Sequence, residues 1–175
     1  MDGYVEGLFR DLGGRDGMAR KRARESLVLL GDPAVPELRE LLASPDKKTR
    51  WEAVKALAAI VDPETLDVLV DLLDDPNSDL RWLAATGLIA LGPRSIRPVL
   101  KGLTDPGASR GRREMSRRVL AEASRDNGVL ADIVAPLMEV IDGTDPAVIS
   151  QRAARALSAL DKAAGRTPPL DHSGS

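Results

Sequence analysis

Few residues in this chain are equipped for covalent or metal chemistry. Cysteine is absent and histidine occurs once, at position 172. That composition excludes a thiolate metal site, a cysteine nucleophile and a disulfide framework. His172 stands in a polar C-terminal stretch, so neither a Ser-His-Asp relay nor a His-rich di-iron site is expected. No glycine-rich phosphate loop follows a strand pattern. Glu64, Asp67, Asp71, Asp74 and Asp75 crowd one segment, but no other ligand type converges on them. They are expected to supply solubility and charge separation rather than a metal site. No catalytic residue, metal or cofactor is expected, and the chain reads as non-enzymatic.

Binding chemistry is better represented. Aromatic residues make up 2% of the chain, and two of them, Trp51 and Trp82, sit in matching contexts, TRWEAVKALAAI and LRWLAATGLIAL. Aligned on these segments, one column reads Lys21, Trp51, Trp82, Arg113, Gln151, and the column one helical turn later reads Glu25, Lys55, Thr86, Arg117, Arg155. Both columns lie off the apolar stripe of their helices, so their side chains, Lys55 included, are expected to face solvent. Trp and Arg are the residues that most often anchor interfaces. Trp51, Trp82, Lys21, Lys55, Arg113, Arg117 and Arg155 therefore form the candidate partner-binding set. Two readings of the indoles stay open: a binding surface, or seals lying flat over a groove between neighbouring units.

A second column holds Arg20, Arg50, Arg81 and Arg112, broken by Ser150. It could bind anions, or it could pair with Asp16, Asp46 and Asp79 nearby. In the run RGRREMSRR at 110–118, most arginines are expected to be solvated at a helix start, with Arg113 and Arg117 alone on the tryptophan face.

The elements that position these residues emerge from the same alignment, since the pattern repeats through the chain. Val5, Val35, Leu66, Ile96 and Val134 form one column, followed by Leu8, Leu38, Leu69, Val99 and Leu137, then by Leu12, Leu42, Leu73, Leu103 and Ile141. Their spacing of three and four residues puts them on one face of a helix. A second helix in each unit carries Ala23, Ala53, Ala84, Met115 and Ala153, then Leu27, Leu57, Leu88, Val119 and Leu157. Leu30, Ile60, Leu91 and Leu160 continue it, with Glu122 the misfit and Ala123 its substitute. Asp32-Pro33 and Asp62-Pro63 are expected as aspartate N-caps before a first-position proline, with Gly92-Pro93 a glycine version. Turn dipeptides (Gly13-Gly14, Ser44-Pro45, Asp75-Pro76, Asp105-Pro106, Asp145-Pro146) separate the paired helices. An insertion falls near GASRGRR, and a longer linker is expected around SRDNG.

A chain of 175 residues that is 43% hydrophobic has material for one sizeable folded unit. Its scarcity of aromatics suits stacked helices built on Leu, Val, Ile and Ala. No apolar run is long enough to span a bilayer, and the N-terminus lacks the pattern of a secretory signal, so a cytoplasmic location is expected. The net charge of -2 hides a patchwork. Residues 62–91 carry one positive and seven negative charges, and residues 92–127 nine and four. Near-neutrality argues against a general nucleic-acid binder, while a local basic face remains open.

The combination of a turn proline, a short gap and then hydrophobic-or-Thr-Arg-x-x-Ala-x-x-x-Leu resembles the HEAT-repeat family. The closer likeness is to its short, phycobilisome-lyase-type HEAT-like subclass. It stands as Pro45, Thr49-Arg50, Ala53, Leu57, and again as Pro76, Leu80-Arg81, Ala84, Leu88. The units are shorter than the usual HEAT length. The resemblance implies an all-α, right-handed α-solenoid of about five two-helix repeats, near 2–31, 32–61, 62–91, 92–126 and 127–163. These form a single domain over 1–163, with a disordered tail over 164–175. It further implies that second helices line the concave side and that the arginine column joins an Asp/Arg ladder between repeats. Scaffolds and adaptors of this kind bind a protein or peptide partner across the concave face. The alternative is a DNA-binding or base-excision protein resembling the HEAT-like alkylpurine glycosylases.

Overall fold

The computed structural model describes residues 3–60 and 65–165. These form ten α-helices and no strand and are 78% helical. The helices come in pairs: α1 Gly3–Leu12 with α2 Gly17–Leu30, α3 Val35–Leu41 with α4 Lys47–Ala59, and α5 Leu66–Leu72 with α6 Ser78–Ala90. Two further pairs are α7 Ile96–Gly102 with α8 Arg110–Ser124, and α9 Gly128–Met138 with α10 Pro146–Ala164. The expected caps at Asp62-Pro63, the carboxylate of Glu64 and most of the expected tail, residues 166–175, lie outside the described residues.

Local chemistry explains where the second helices begin. Asp16, Asp46, Asn77, Ser109 and Asp145 each accept a backbone N–H from the first turn of α2, α4, α6, α8 and α10. Each satisfies donors that a helix start leaves without partners. The first helices start differently from the expectation. Asp32 makes no capping bond; Asp32–Ala34 is a 3₁₀ turn entered through Gly31 at φ 72°. A second 3₁₀ turn, Gly92–Ser95, contains Gly92 at φ 61°. Left-handed backbone there favours glycine, so the glycine turns the chain and the proline only stiffens the 3₁₀ turn.

The repeating columns form the core. Leu12, Leu27, Leu38, Leu57, Leu69, Leu73, Leu88, Val119 and Leu137 are all inaccessible to solvent. Each such side chain stabilises the fold by about 1.5–3 kcal/mol relative to exposure. Ala123, rather than Glu122, supplies the apolar position in α8, at 8% exposed. At the edges the pattern is looser: Leu42 is half-buried and Leu30 is 38% exposed.

The second helices α2, α4, α6 and α8 pack in sequence, each on the next, and α5 packs on α7 in the first-helix row. The α4–α6 approach is close because Gly87 lacks a side chain. A Cβ there would lie 2.8 Å from the Cα of Ala58.

The fifth pair departs from this stack. Instead of a longer linker, only residues 125–127 separate α8 from α9, with no 3₁₀ turn between them. The chain doubles straight back, so α9 lies against α8. Its partner α10 packs on α7 and α9, held by the Arg97–Asp161 ion pair and by Ser150 Oγ donating to the Thr104 carbonyl at 2.7 Å. Thus α9 continues the row of second helices and α10 the row of first helices.

Candidate functional site: the tryptophan face

Trp51 in α4 and Trp82 in α6 occupy the same register position on two packed helices, pointing away from the Ala/Leu stripe. Trp82 is 50% exposed, whereas Trp51 is half-buried. The Arg118 guanidinium lies 5.1 Å from the Trp82 ring centroid, and Lys55 Nζ lies 5.9 Å from that of Trp51. Such cation–π contacts contribute about 0.5–1 kcal/mol at exposed sites. The surrounding face is open: Thr86, Ala59, Ala90 and Ala121 are all exposed.

The other candidate residues are less concentrated. Lys21, at one edge of the face, is exposed and lies 3.8 Å from Glu25. Lys55 does not simply face solvent: its ammonium pairs with Glu52 at 2.9 Å. Arg113 and Arg117 turn toward the α9–α10 connection, Arg113 donating to the Gly143 carbonyl at 3.1 Å and Arg117 pairing with Asp142 at 3.1 Å. Arg155 lies apart, in a groove between α9 and α10. The sequence reading missed Arg118. It stands in the run 110–118, whose arginines other than Arg113 and Arg117 are expected to be solvated at a helix start; its register column, shared with Ala56 and Gly87, is the signal that faces it toward the preceding second helix.

Beneath the face, Glu52 is 8% exposed and gathers Arg24, Lys55 and Arg20, with Arg20 Nε 3.9 Å away. Burial pushes the Glu52 carboxyl up, but bonds from Lys55 and Arg24 more than offset this, so its pKa lies below the ordinary value. The network ties α2 to α4 and sets the floor on which Lys55 meets Trp51.

The arginine column forms the expected ladder with aspartates at one rung only, Arg112 Nε with Asp74 of the preceding pair at 3.4 Å, and its other contacts are with turn carbonyls. Arg20 donates to the Gly14 carbonyl, Arg50 to that of Ser44, Arg81 to that of Asp75 and Arg112 to that of Gly102, at 2.9, 2.7, 2.8 and 3.4 Å. Each arginine therefore closes the turn of its own pair. Asp16 and Asp46 are occupied as N-caps, which lowers both carboxyl pKa values: backbone N–H bonds lead at Asp16 and the Thr49 hydroxyl at Asp46. Asp79 sits inside the first turn of α6. Links between pairs come from Glu52, which Arg20 of the column approaches, and from that Arg112–Asp74 contact. That contact gives one of the acidic-cluster residues a structural partner.

Comparison with known proteins places the fold. Residues 5–89 match HEAT repeats, as the Thr-Arg-x-x-Ala-x-x-x-Leu pattern implied. No curated protein sequence matches the chain. Among solved structures, the complex of CpcE and CpcF of phycocyanin lyase from Nostoc sp. PCC7120 is similar with a TM-score of 0.59 and 24% identity. The match covers 88% of this chain and 98% of that one. An engineered protein is similar at 24% identity and a TM-score of 0.43, covering 91% of this chain and 80% of its own. The chain is thus a HEAT-like α-solenoid, and no helix among the described residues is long and apolar enough to cross a membrane.

Proposed function

We propose that this HEAT-repeat solenoid is a non-enzymatic scaffold or adaptor that holds a protein partner against the second-helix face, with Trp82 and Trp51 as anchors. The observation that carries this reading is Trp82, a half-exposed indole with the Arg118 guanidinium over its ring on an otherwise open face. Covering such a ring can contribute several kcal/mol through area and packing, whereas rim cations chiefly steer approach. The similar CpcE–CpcF structure is itself a complex of two protein chains, in keeping with a protein partner. A cytoplasmic setting goes with this reading.

Charge gives nucleic acid a footing as the second reading. Helix α2 carries four Lys/Arg and one Asp/Glu, α4 four and one, α6 one and one, α8 five and two. Against it, Arg20, Lys21, Arg24, Lys55, Arg112 and Arg117 already pair with carboxylates. The test is affinity capture with the wild type beside a Trp51→Ala/Trp82→Ala variant, together with a salt titration of binding to plain duplex DNA. Captured proteins that vanish with the double variant support the scaffold. Capture that is unchanged on a folded double variant refutes this face, and tight DNA binding that falls steeply with salt selects the second reading.

A further inference from the structure

The departure of the fifth pair from the stack leaves a groove of 540 Å³ between α9 and α10. In α4, α6 and α8 the register positions of Ala56, Gly87 and Arg118 face the preceding second helix: Glu52 beside Ala56 meets Arg24, Gly87 abuts Ala58, and Arg118 covers Trp82. Ala156 is the equivalent position in α10. Because α10 lies on α7 instead of α8, the stripe that continues from Ala156 through Ala159 and Ala163 has no helix over it beyond α9 and forms one wall of the groove. Val129, Ile133 and Pro136 of α9 form the other. Val129 is 60% exposed. A surface shaped for close helix packing is therefore only partly covered: Ala156 is buried, Ala159, Ala163 and Ile133 are half-buried, and Val129 and Pro136 are exposed.

The rim is cationic. Arg152, Arg155 and Lys162 line the groove, against the single carboxylate of Asp132. None of the three cations makes an ion pair or a side-chain hydrogen bond among the described residues, unlike Lys21, Lys55, Arg113 and Arg117 on the tryptophan face. We infer that the α9–α10 groove is a second docking site, distinct from the tryptophan face, that takes an amphipathic helix with acidic flanks from a partner protein. Small side chains on α10 let a helix axis approach to about 8 Å, and apolar residues of the guest cover Val129 and Ile133. Glutamates or aspartates one turn to either side reach Arg152, Arg155 and Lys162. A second copy of this chain is a poor occupant. At the opposite end of the stack, α2 exposes Met18 and Leu29 with Arg22 and the Lys21–Glu25 ion pair beside them, so it brings no surplus of carboxylates to the rim cations.

The test selects binders to the full chain from a displayed library of amphipathic helices about the length of α10, with flanking charge randomised. The expected winners carry acidic flanks. They should lose about tenfold or more in affinity with Arg155→Glu and with Ala159→Glu, and bind Trp51→Ala/Trp82→Ala as they bind the wild type. Arg155 is exposed, so its charge reversal leaves the fold intact and keeps the test meaningful if Ala159→Glu unfolds. No enrichment, winners without acidic bias, or winners indifferent to Arg155→Glu would overturn the inference. Winners lost with the tryptophan variant would belong to the other face. Displacement by a peptide of residues 166–175, or self-association abolished by Arg155→Glu, would assign the groove to the chain's own end or to a second copy.

Discussion

Glu52 holds a carboxylate at 8% exposure against three cations from two helices, and pH can read its contribution. Its folded pKa lies below the ordinary value, so its stabilisation is complete above the unfolded pKa. It is lost as pH falls through the folded one, a window beginning below about pH 4.3. Glu52→Gln is expected to cost about 1–3 kcal/mol at pH 7, with the difference in melting temperature from wild type closing as pH drops toward 3. A constant difference across that range would remove the carboxylate from the account. Elsewhere on the same helix the balance changes. Leu57→Ala should cost about 2–5 kcal/mol because it empties a fully buried position. Lys55→Ala, on sequence grounds a neutral surface change, should cost about 1 kcal/mol, since its ammonium holds Glu52 and covers Trp51. Equal shifts in the two thermal melts would refute the helical register.

Between elements, the closest contact is where Gly87 lets α6 settle on α4. Alanine is the better helix former by about 1 kcal/mol, yet Gly87→Ala should destabilise by about 1–3 kcal/mol because its Cβ would meet the Ala58 backbone. Gly7 in α1 has open space where its Cβ would stand, so Gly7→Ala should raise stability by about 0.5–1 kcal/mol. Denaturant midpoints of the two variants should move in opposite directions. Helix existence and phase were legible in the sequence because Leu8, Leu38, Leu69 and their equivalents repeat at helical spacing, and packing acts on that spacing directly. What one helix places opposite another was not legible. Arg24 reaches Glu52 across 28 residues, and Arg118 finds Trp82 from a run of arginines that reads as solvated. The exchanged fifth pair left one trace, the absence at 125–127 of the glycine–proline turn that precedes α7. The Thr-Arg motif fixed the place of the arginine column, but its partners, the turn carbonyls, carry no side-chain signature.

Across the whole molecule, contacts run from each pair to its neighbours, so stability is distributed along one dimension. Helix α1 buries only Leu8 and Leu12 and rests mainly on α2, whereas α4, α6 and α8 are enclosed on both sides. Hydrogen exchange should therefore release the α1 amides well before those of α6, through local opening rather than global unfolding. Simultaneous exchange of the two helices would show a more cooperative unit than the stacking implies. The unequal surroundings of the two indoles have a further consequence, in light rather than in energy. Indole emission moves to longer wavelength as water reaches the ring, so the shielded Trp51 and the half-exposed Trp82 give the native protein two colours. A partner that covers Trp82 should draw its emission toward the blue while leaving Trp51 nearly unchanged, letting the chain report occupancy of its own face without a label.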